Sequence, residues 1–310
     1  MKKEYLLVSI VIPTYNHSAY LGQAIDSVLN QDYQNIELIV LDDGSTDDTR
    51  AILERYKNCF FWETQKNMGQ SATLNKGWSM SKGDILAYLS ADDLLMPNAV
   101  SRSVDCLLGN PDAVLSYCDF DLIDPESRIV RRVNAPEYSF IEMVTKFICA
   151  PSAGAFFWRG AFFKTGGWNP NIHRFPDYDC WLRLGLHGRF VHIHESLAAF
   201  RVHEGSQSFS ETPEERAAEA IKVITDFYCR PDIPDDVLVV KSQAIGNAHL
   251  LVAQLHLRAG RYLSAFREMA VAARFSPSSL LSIRFIRMFV NGLLNRYVHK
   301  LLWKIRRGKS

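Results

Sequence analysis

Residues 6–12 (LLVSIVI) form an almost unbroken aliphatic and β-branched run that stops at Pro13, the pattern of a strand covered on both faces. Ala24, Ile25, Val28 and Leu29 then recur at helical spacing, and residues 36–41 read as a second buried strand ending in Asp42-Asp43-Gly44-Ser45. Ser45 or Thr46 is a candidate cap for the next helix, with Asp47 and Asp48 suited to its first turn. A short strand near 60–62, a helix over 70–80 and a fourth strand over 85–89 follow, the last running into Ser90-Ala91-Asp92-Asp93. Strands alternating with helices predict an α/β fold with a mostly parallel sheet and helices on both faces. Residues 113–205 are mixed, with Gly/Pro turns and a helix over 179–187, and beyond Pro213 the pattern turns helical. Two domains are therefore expected, 1–205 and 206–310.

Composition adds limits. The chain has 310 residues, 47% hydrophobic and 22% charged, with a formal net charge of +1, an ordinary globular balance that gives no pointer to nucleic acid. Its six cysteines are scattered without a CxxC pair, which reads as free, buried thiols in a reducing compartment. The N-terminal apolar run is too short for a signal peptide and no run reaches a membrane span, so a cytoplasmic protein is expected. Charge is uneven at the end: no acidic residue follows Glu268, whereas Arg284, Arg287, Arg296, Lys300, Lys304, Arg306, Arg307 and Lys309 do. Residues 284–307 read as a basic amphipathic helix, suited either to an anionic membrane surface or to packing on the preceding helices. Residues 248–277 resemble one tetratricopeptide-type helical hairpin, with Gly260, Tyr262, Ala265, Ala272 and Pro277 at its small and turn positions.

In an open α/β sheet, ligands gather beyond the carboxyl ends of the strands. Three polar clusters occupy those ends: Pro13-Thr14-Tyr15-Asn16, Asp42-Asp43-Gly44-Ser45 and Ser90-Ala91-Asp92-Asp93. Asp42 and Asp43 suit either a turn or acceptance of hydrogen bonds from a uracil imide or ribose hydroxyls. Adjacent Asp92 and Asp93 repel each other unless a cation offsets them. Mg2+ or Mn2+, which prefer carboxylate oxygens and bridge to phosphates, would do so. Capping of the helix after Pro97 explains one of the two carboxylates, not both.

The text VSIVIPTYNHSAYLGQAIDSVLNQDYQNIELIVLDDGSTDDT, followed by NMGQSATLNKG, ILAYLSADDLLMP, GGW, DYDCWLRL and FRVHEGSQS, resembles the inverting glycosyltransferases of family 2, which have the GT-A fold. The resemblance covers the first 205 residues. It implies that Pro13, Tyr15, Asp42 and Asp43 line a nucleotide pocket and that Asp92 is the metal-ligating member of the DxD motif. Ser90 stands where the family often has an acid and is expected at ribose or at a metal-bound water. Phe175-Pro176-Asp177-Tyr178-Asp179 aligns with the family's Glu-Asp pair, so Asp177 is implied as catalytic base, with Asp179 in reserve. Favourable placement at a helix N-terminus is the plainer reading of both. In the family an R-x-H segment returns to the diphosphate, which places Arg201 on the donor and His203 on the metal. Trp168, after Gly166-Gly167, is the acceptor contact expected, whereas Trp181 reads as core; His192 and His194 alternate on a strand and receive no role.

The reading as a whole is a metal-dependent (Mn2+ or Mg2+) inverting transferase. It would move sugar from a UDP- or dTDP-sugar to a hydroxyl of a saccharide or lipid-linked acceptor, in bacterial surface polysaccharide or lipopolysaccharide synthesis. It would act in the cytoplasm or peripherally at the inner membrane face. Two other classes stand beside it. Nucleotidyltransferases share the fold but open with a Gly-rich basic loop, which PTYNHS is not. A degenerate, non-catalytic nucleotide-sugar- or partner-binding protein is the other, favoured by Ser90 and Pro176.

Overall fold

The computed structural model describes residues 6–203, 212–280, 282, 285–287 and 289–290. In chain order it begins β1 (Val8–Thr14), α1 (Ser18–Leu29), β2 (Ile36–Asp42), α2 (Thr49–Arg55), β3 (Phe61–Thr64), α3 (Gln70–Met80) and β4 (Ile85–Tyr88). There follow β5 (Leu94–Leu95), α4 (Ala99–Gly109), β6 (Ala113–Ile123), β7 (Ile129–Val133), α5 (Phe140–Lys146), β8 (Phe156–Trp158), α6 (Arg159–Thr165), α7 (Pro176–Gly185) and β9 (Arg189–Arg201). The remainder is helical: α8 (Glu214–Ala217), α9 (Glu219–Tyr228), α10 (Asp235–Val239), α11 (Lys241–Arg258), α12 (Tyr262–Phe275) and α13 (Pro277–Leu280). The chain divides into two compact units, one of residues 1–138, 149–171 and 176–209, the other of 139–148, 172–175 and 210–310. A single boundary near 205 does not describe this division, because two short earlier segments belong with the helical part.

The first unit holds a nine-stranded sheet in the order β3-β2-β1-β4-β8-β6-β9-β5, with β7 paired to β6. β3, β2, β1 and β4 are parallel, as the alternating pattern predicts. Beyond β4 the sheet is mixed: β8 runs antiparallel to both β4 and β6, β9 parallel to β6, and β5 antiparallel to β9. The expectation of a mostly parallel sheet thus holds for the first half only, since β8, β7 and β5 join the second half antiparallel to their neighbours.

Alternation on β1 explains why helices cover both faces. Ile10 and Ile12 are fully buried in one core with Leu21 and Ile25 of α1 and Val100 and Val104 of α4. Val11 faces the other way, against α3, where a methyl added at Gly77 would lie 2.4 Å from its Cγ1. Only a residue without Cβ allows that approach. β1 is buried along its whole length, which is why its run carries no polar alternation.

In the second unit Ala217, Ala220, Val252 and Leu255 form a small core, with Phe147 and Phe175 packed against it. α11 and α12 make the expected hairpin, burying Ala265 and Ala272 completely, with Gly260 at φ 72° in the turn. Its tetratricopeptide likeness rests on sequence alone. Most of the basic segment 284–307, and all of EGSQS, lie outside the described residues. Among the described residues no helix is long and apolar enough to cross a membrane. The six cysteines are free: Cys118 and Cys180 are buried, Cys106 and Cys149 partly so, and Cys59 and Cys229 are exposed.

Candidate active site

The strand order places the chain's change of direction between β1 and β4, since β2 and β3 lie to one side of β1 and β4 to the other. This is the crevice in which open α/β sheets receive ligands. The β1–β4 ladder ends at Val11↔Tyr88, with a last bond from Leu89 N to Val11 O. Backbone groups alternate sides along a strand, so the N–H that Pro13 lacks would point past that end, where no ladder bond is lost.

From this point the loop after β1 is fixed by the loop after β2. Asn16 takes a left-handed conformation, φ 56°, which Asn tolerates. Its amide N donates to Ser45 Oγ at 2.9 Å and its side-chain oxygen accepts from Thr46 N at 2.8 Å. Asp47, not Ser45 or Thr46, closes the start of α2: its carboxylate accepts from Thr49 N at 3.0 Å and from Ser18 N at 2.9 Å. Partial desolvation raises its pKa, but the bonds from Thr49 and Ser18 outweigh this and hold it at about 2. These ties set the position of His17 and, one turn later, Tyr20.

Asp42 and Asp43 are both buried. Asp42 accepts from Ser45 N at 2.9 Å, closing its own turn. Asp43 accepts from Gln65 Nε2, Met68 N and Gly69 N at 2.9, 2.9 and 2.8 Å, and so holds the segment before α3 against the end of β2. Tyr15 is half exposed at 46%, whereas Pro13 lies within buried β1.

Three segments meet beyond β4. His203 Nε2 lies 3.0 Å from Asp92 Oδ2, and a ring nitrogen of His17 joins them, the ligand atoms of all three lying within 4.8 Å of one another. Asp93 is buried and accepts from Arg201 N at 2.9 Å; burial, then the Asp92 charge, push its carboxyl well above the usual range. Ser90 O accepts from Asp93 N at 3.1 Å, closing the turn.

Arg201 departs from the expectation of a donor contact. It is fully buried, and its guanidinium donates to five protein oxygens: Asp92 O, Asp124 O, Pro125 O, Ser127 Oγ and Gln23 Oε1. It also stacks 4.7 Å from the Tyr20 ring centroid, and that ring lies 5.0 Å from His203. A planar fork satisfied in this way is a clamp. It pins the end of β9 to the Asp92 backbone and so carries His203 to the Asp92 carboxylate.

Asp177 opens α7 directly after Pro176, where a missing N–H costs nothing. Its Oδ1 accepts from Tyr178 N at 2.8 Å, and the Cys149 thiol lies 3.9 Å from Oδ2. Burial, then the charge and hydrogen bond of Asp177, push the Cys149 thiol well up, which removes it as a nucleophile at neutral pH. Burial raises the Tyr88 phenol in the same way, followed by the charges of Asp177, Cys149 and Asp93. Tyr88, last residue of β4, thus sits within electrostatic reach of both carboxylates.

Asp179 departs from its reserve role. It is 8% exposed and pairs with Arg183 one turn on, a guanidinium that also donates to Thr165 O. Trp168 departs too. Only 3% exposed, it packs edge-on against Trp78 and Tyr88, centroids 5.9 and 5.1 Å away. Asn75 brackets its backbone, accepting from Trp168 N at 2.9 Å and donating to Trp168 O at 2.7 Å. A Cβ on Gly167 would lie 2.6 Å from Asn75 Oδ1, which is what the GGW triplet provides for. Its indole N–H is buried without a partner among the described residues. Trp181 is core, as read from sequence.

His17, Tyr20 and Tyr88 were not singled out in the sequence. His17 lies at a strand end already marked, and Tyr20 follows at i+3, a helical neighbour. No comparable pattern marks Tyr88.

A family model described as glycosyl transferase family 2 matches residues 9–184. An uncharacterized glycosyltransferase of Rickettsia typhi is 35% identical over 217 residues, covering 64% of this chain and 64% of that protein. The chain thus spans just under two thirds of that relative's length. Chondroitin synthase of Escherichia coli is 32% identical over 232 residues, 74% of this chain and 33% of that enzyme. Among solved structures, S. aureus TarS 1-349 superposes with a TM-score of 0.64 at 15% identity, covering 98% of this chain and 92% of that one. The mannosyltransferase PcManGT of Pyrobaculum calidifontis, solved with GDP-Man and Mn2+, gives 0.62 at 16% identity, covering 96% and 88%. At these identities the likeness is one of fold, the GT-A architecture followed by helices.

Proposed function

Because the chain belongs to glycosyl transferase family 2, we propose that it transfers a glycosyl group from a nucleoside-diphosphate sugar, UDP- or dTDP-linked, to a hydroxyl acceptor with inversion. The observation that carries this reading is the meeting of Asp92, His203 and His17 at the β1–β4 crevice. Ligand atoms about 2.1 Å from an octahedral ion lie about 3.0 Å from their neighbours, and Asp92 Oδ2 and His203 Nε2 are 3.0 Å apart. The donor set therefore fits a divalent cation, and two imidazoles favour Mn2+ over Mg2+. Bound there, such a cation supplies positive charge against the diphosphate leaving group.

Residues of the chain do the rest. Tyr15, Pro13, Asp42 and Ser90 border the nucleotide, and Asp43 holds the adjoining segment in place. As the acceptor oxygen bonds to the anomeric carbon, the bond from that carbon to the diphosphate oxygen breaks. The acceptor proton passes to Asp177, and nucleoside diphosphate departs. Arg201, Asp179 and Trp168 act by positioning. TarS has been solved with UDP-GlcNAc and PcManGT with GDP-Man and Mn2+, which supports a nucleotide-sugar donor here. Residues 1–205 are proposed as the catalytic domain. A saccharide or lipid-linked acceptor of bacterial surface polysaccharide synthesis, met at the inner membrane face through 284–307, completes the proposal.

The test is nucleoside diphosphate release from UDP-, dTDP- and GDP-sugars with Mn2+ or with EDTA, for wild type and Asp177→Asn. Mn2+-dependent release from one donor, lost in the variant, supports the reading. Failure of every donor to bind saturably would overturn it in favour of a non-catalytic protein.

A further inference from the structure

We propose that Glu137, His192 and His194 form a second divalent-cation site, of the zinc class, beside the β6–β9 ladder and independent of the Asp92 cluster. His192 and His194 are two apart on β9 and share a face. At the second of them the register with β6 steps from Cys118↔Ile193 to Asp119↔Ser196, a bulge at His194 and Glu195. Bulges re-aim side chains and recur at functional sites.

The distances are those of a ligand shell. His192 Nδ1 lies 3.1 Å and His194 Nε2 3.5 Å from the same oxygen, Glu137 Oε1, and one ligand atom from each residue lies within 4.8 Å of the others. Ligands 2.0–2.1 Å from a tetrahedral ion are about 3.3 Å apart, a value the two distances bracket. Two imidazoles and one carboxylate suit Zn2+, Co2+ or Ni2+ better than Mg2+ or Ca2+.

A carboxylate behind the histidine strengthens the assignment. Asp119 is 8% exposed, and its Oδ1 lies 2.7 Å from His192 Nε2 while also accepting from Ala135 N at 2.8 Å. Asp119 thereby keeps the proton on Nε2 and turns the Nδ1 lone pair outward, the carboxylate–histidine arrangement found behind metal ligands. Tyr117 stacks flat on the ring, centroids 4.9 Å apart and planes 4° from parallel, fixing its plane. A neutral His192 then sets a lone pair against the Glu137 carboxylate, which only a cation reconciles. A proton is the simplest such cation and a metal ion the other. A cavity of about 700 Å³ opens at this point, lined also by Asn134 and Ser196. An ion here would staple the segment after β7 to β9.

The test titrates the metal-free full chain with Co2+, read by visible absorption, and with Zn2+, read by calorimetry. His194 and Glu137 are exposed, their side chains 70% and 72% accessible, so His194→Ala and Glu137→Gln leave folding intact, checked by circular dichroism. The expected result is one Zn2+ equivalent and Co2+ bands that survive His203→Ala. His194→Ala should lose them, and Asp119→Asn should weaken them about 10–100-fold. Isotherms of His194→Ala and Glu137→Gln that superimpose on wild type would overturn the proposal. So would a wild type with no equivalent beyond the one lost in His203→Ala; either result leaves the cluster without a metal.

Discussion

His203 Nε2 and Asp92 Oδ2 lie 3.0 Å apart although 111 residues separate them in the chain. Neither finds the other by local structure. Arg201, two residues before His203, donates from Nε to Asp92 O at 2.8 Å, so one buried side chain sets the distance between them.

If this pair holds the cation, removing either member should act on metal dependence before stability. Asp92→Asn and His203→Ala are each expected to lower kcat about 100-fold or more, with the Mn2+ concentration for half-activity raised. Steady-state rates against Mn2+ concentration decide this; an unchanged Mn2+ dependence in both variants would move the cation elsewhere.

Arg201 should behave as a clamp. Arg201→Lys leaves the five acceptors around this buried side chain with too few donors and is expected to cost about 2–4 kcal/mol of stability. Denaturant unfolding measures it. Full stability combined with weaker donor binding would restore the direct diphosphate contact.

Asp177 and Asp179 should separate cleanly. Asp177→Asn is expected to lower kcat about 10²–10⁴-fold with donor affinity retained. Asp179→Asn instead leaves Arg183, whose side chain is 13% exposed, without its ion-pair partner, at a cost of about 3 kcal/mol. Paired kinetics and thermal melts test this, and the opposite pattern would exchange their roles.

Asp47 should contribute pH-dependent stability. Its carboxyl is lowered from 3.8 to about 2 in the folded chain. A depressed carboxyl stabilises above its unfolded value, and that contribution is lost as pH falls toward the folded one. Asp47 is exposed, so the effect is small: Asp47→Ala should cost about 0.5–1 kcal/mol near neutral pH. The gap to wild type should narrow between about pH 4 and pH 2. Unfolding midpoints across that range measure it, and a constant gap would refute the assignment.

Periodicity alone located β1, β2, α3 and β4, because strands buried on both faces read as unbroken aliphatic runs and helices as 3.6-residue patterns. It also marked Asp92 and the β1 loop, since ligand positions at strand ends follow from the order of elements. What it could not contain was the pairing of elements far apart in the chain. The antiparallel β8 between β4 and β6 and the bulge in β9 depend on packing, not pattern. So does the burial that turns Trp168 into core and Arg201 into a clamp. A side chain's chemistry is written in its residue type, but whether it faces a ligand or the protein is settled by which distant segments close around it. The sequence determined the αβ alternation and the set of candidate groups. Tertiary structure alone decided that His17 joins Asp92 and His203, and that His192 stands between Asp119 and Glu137, because only folding brings those charges near enough to act on one another.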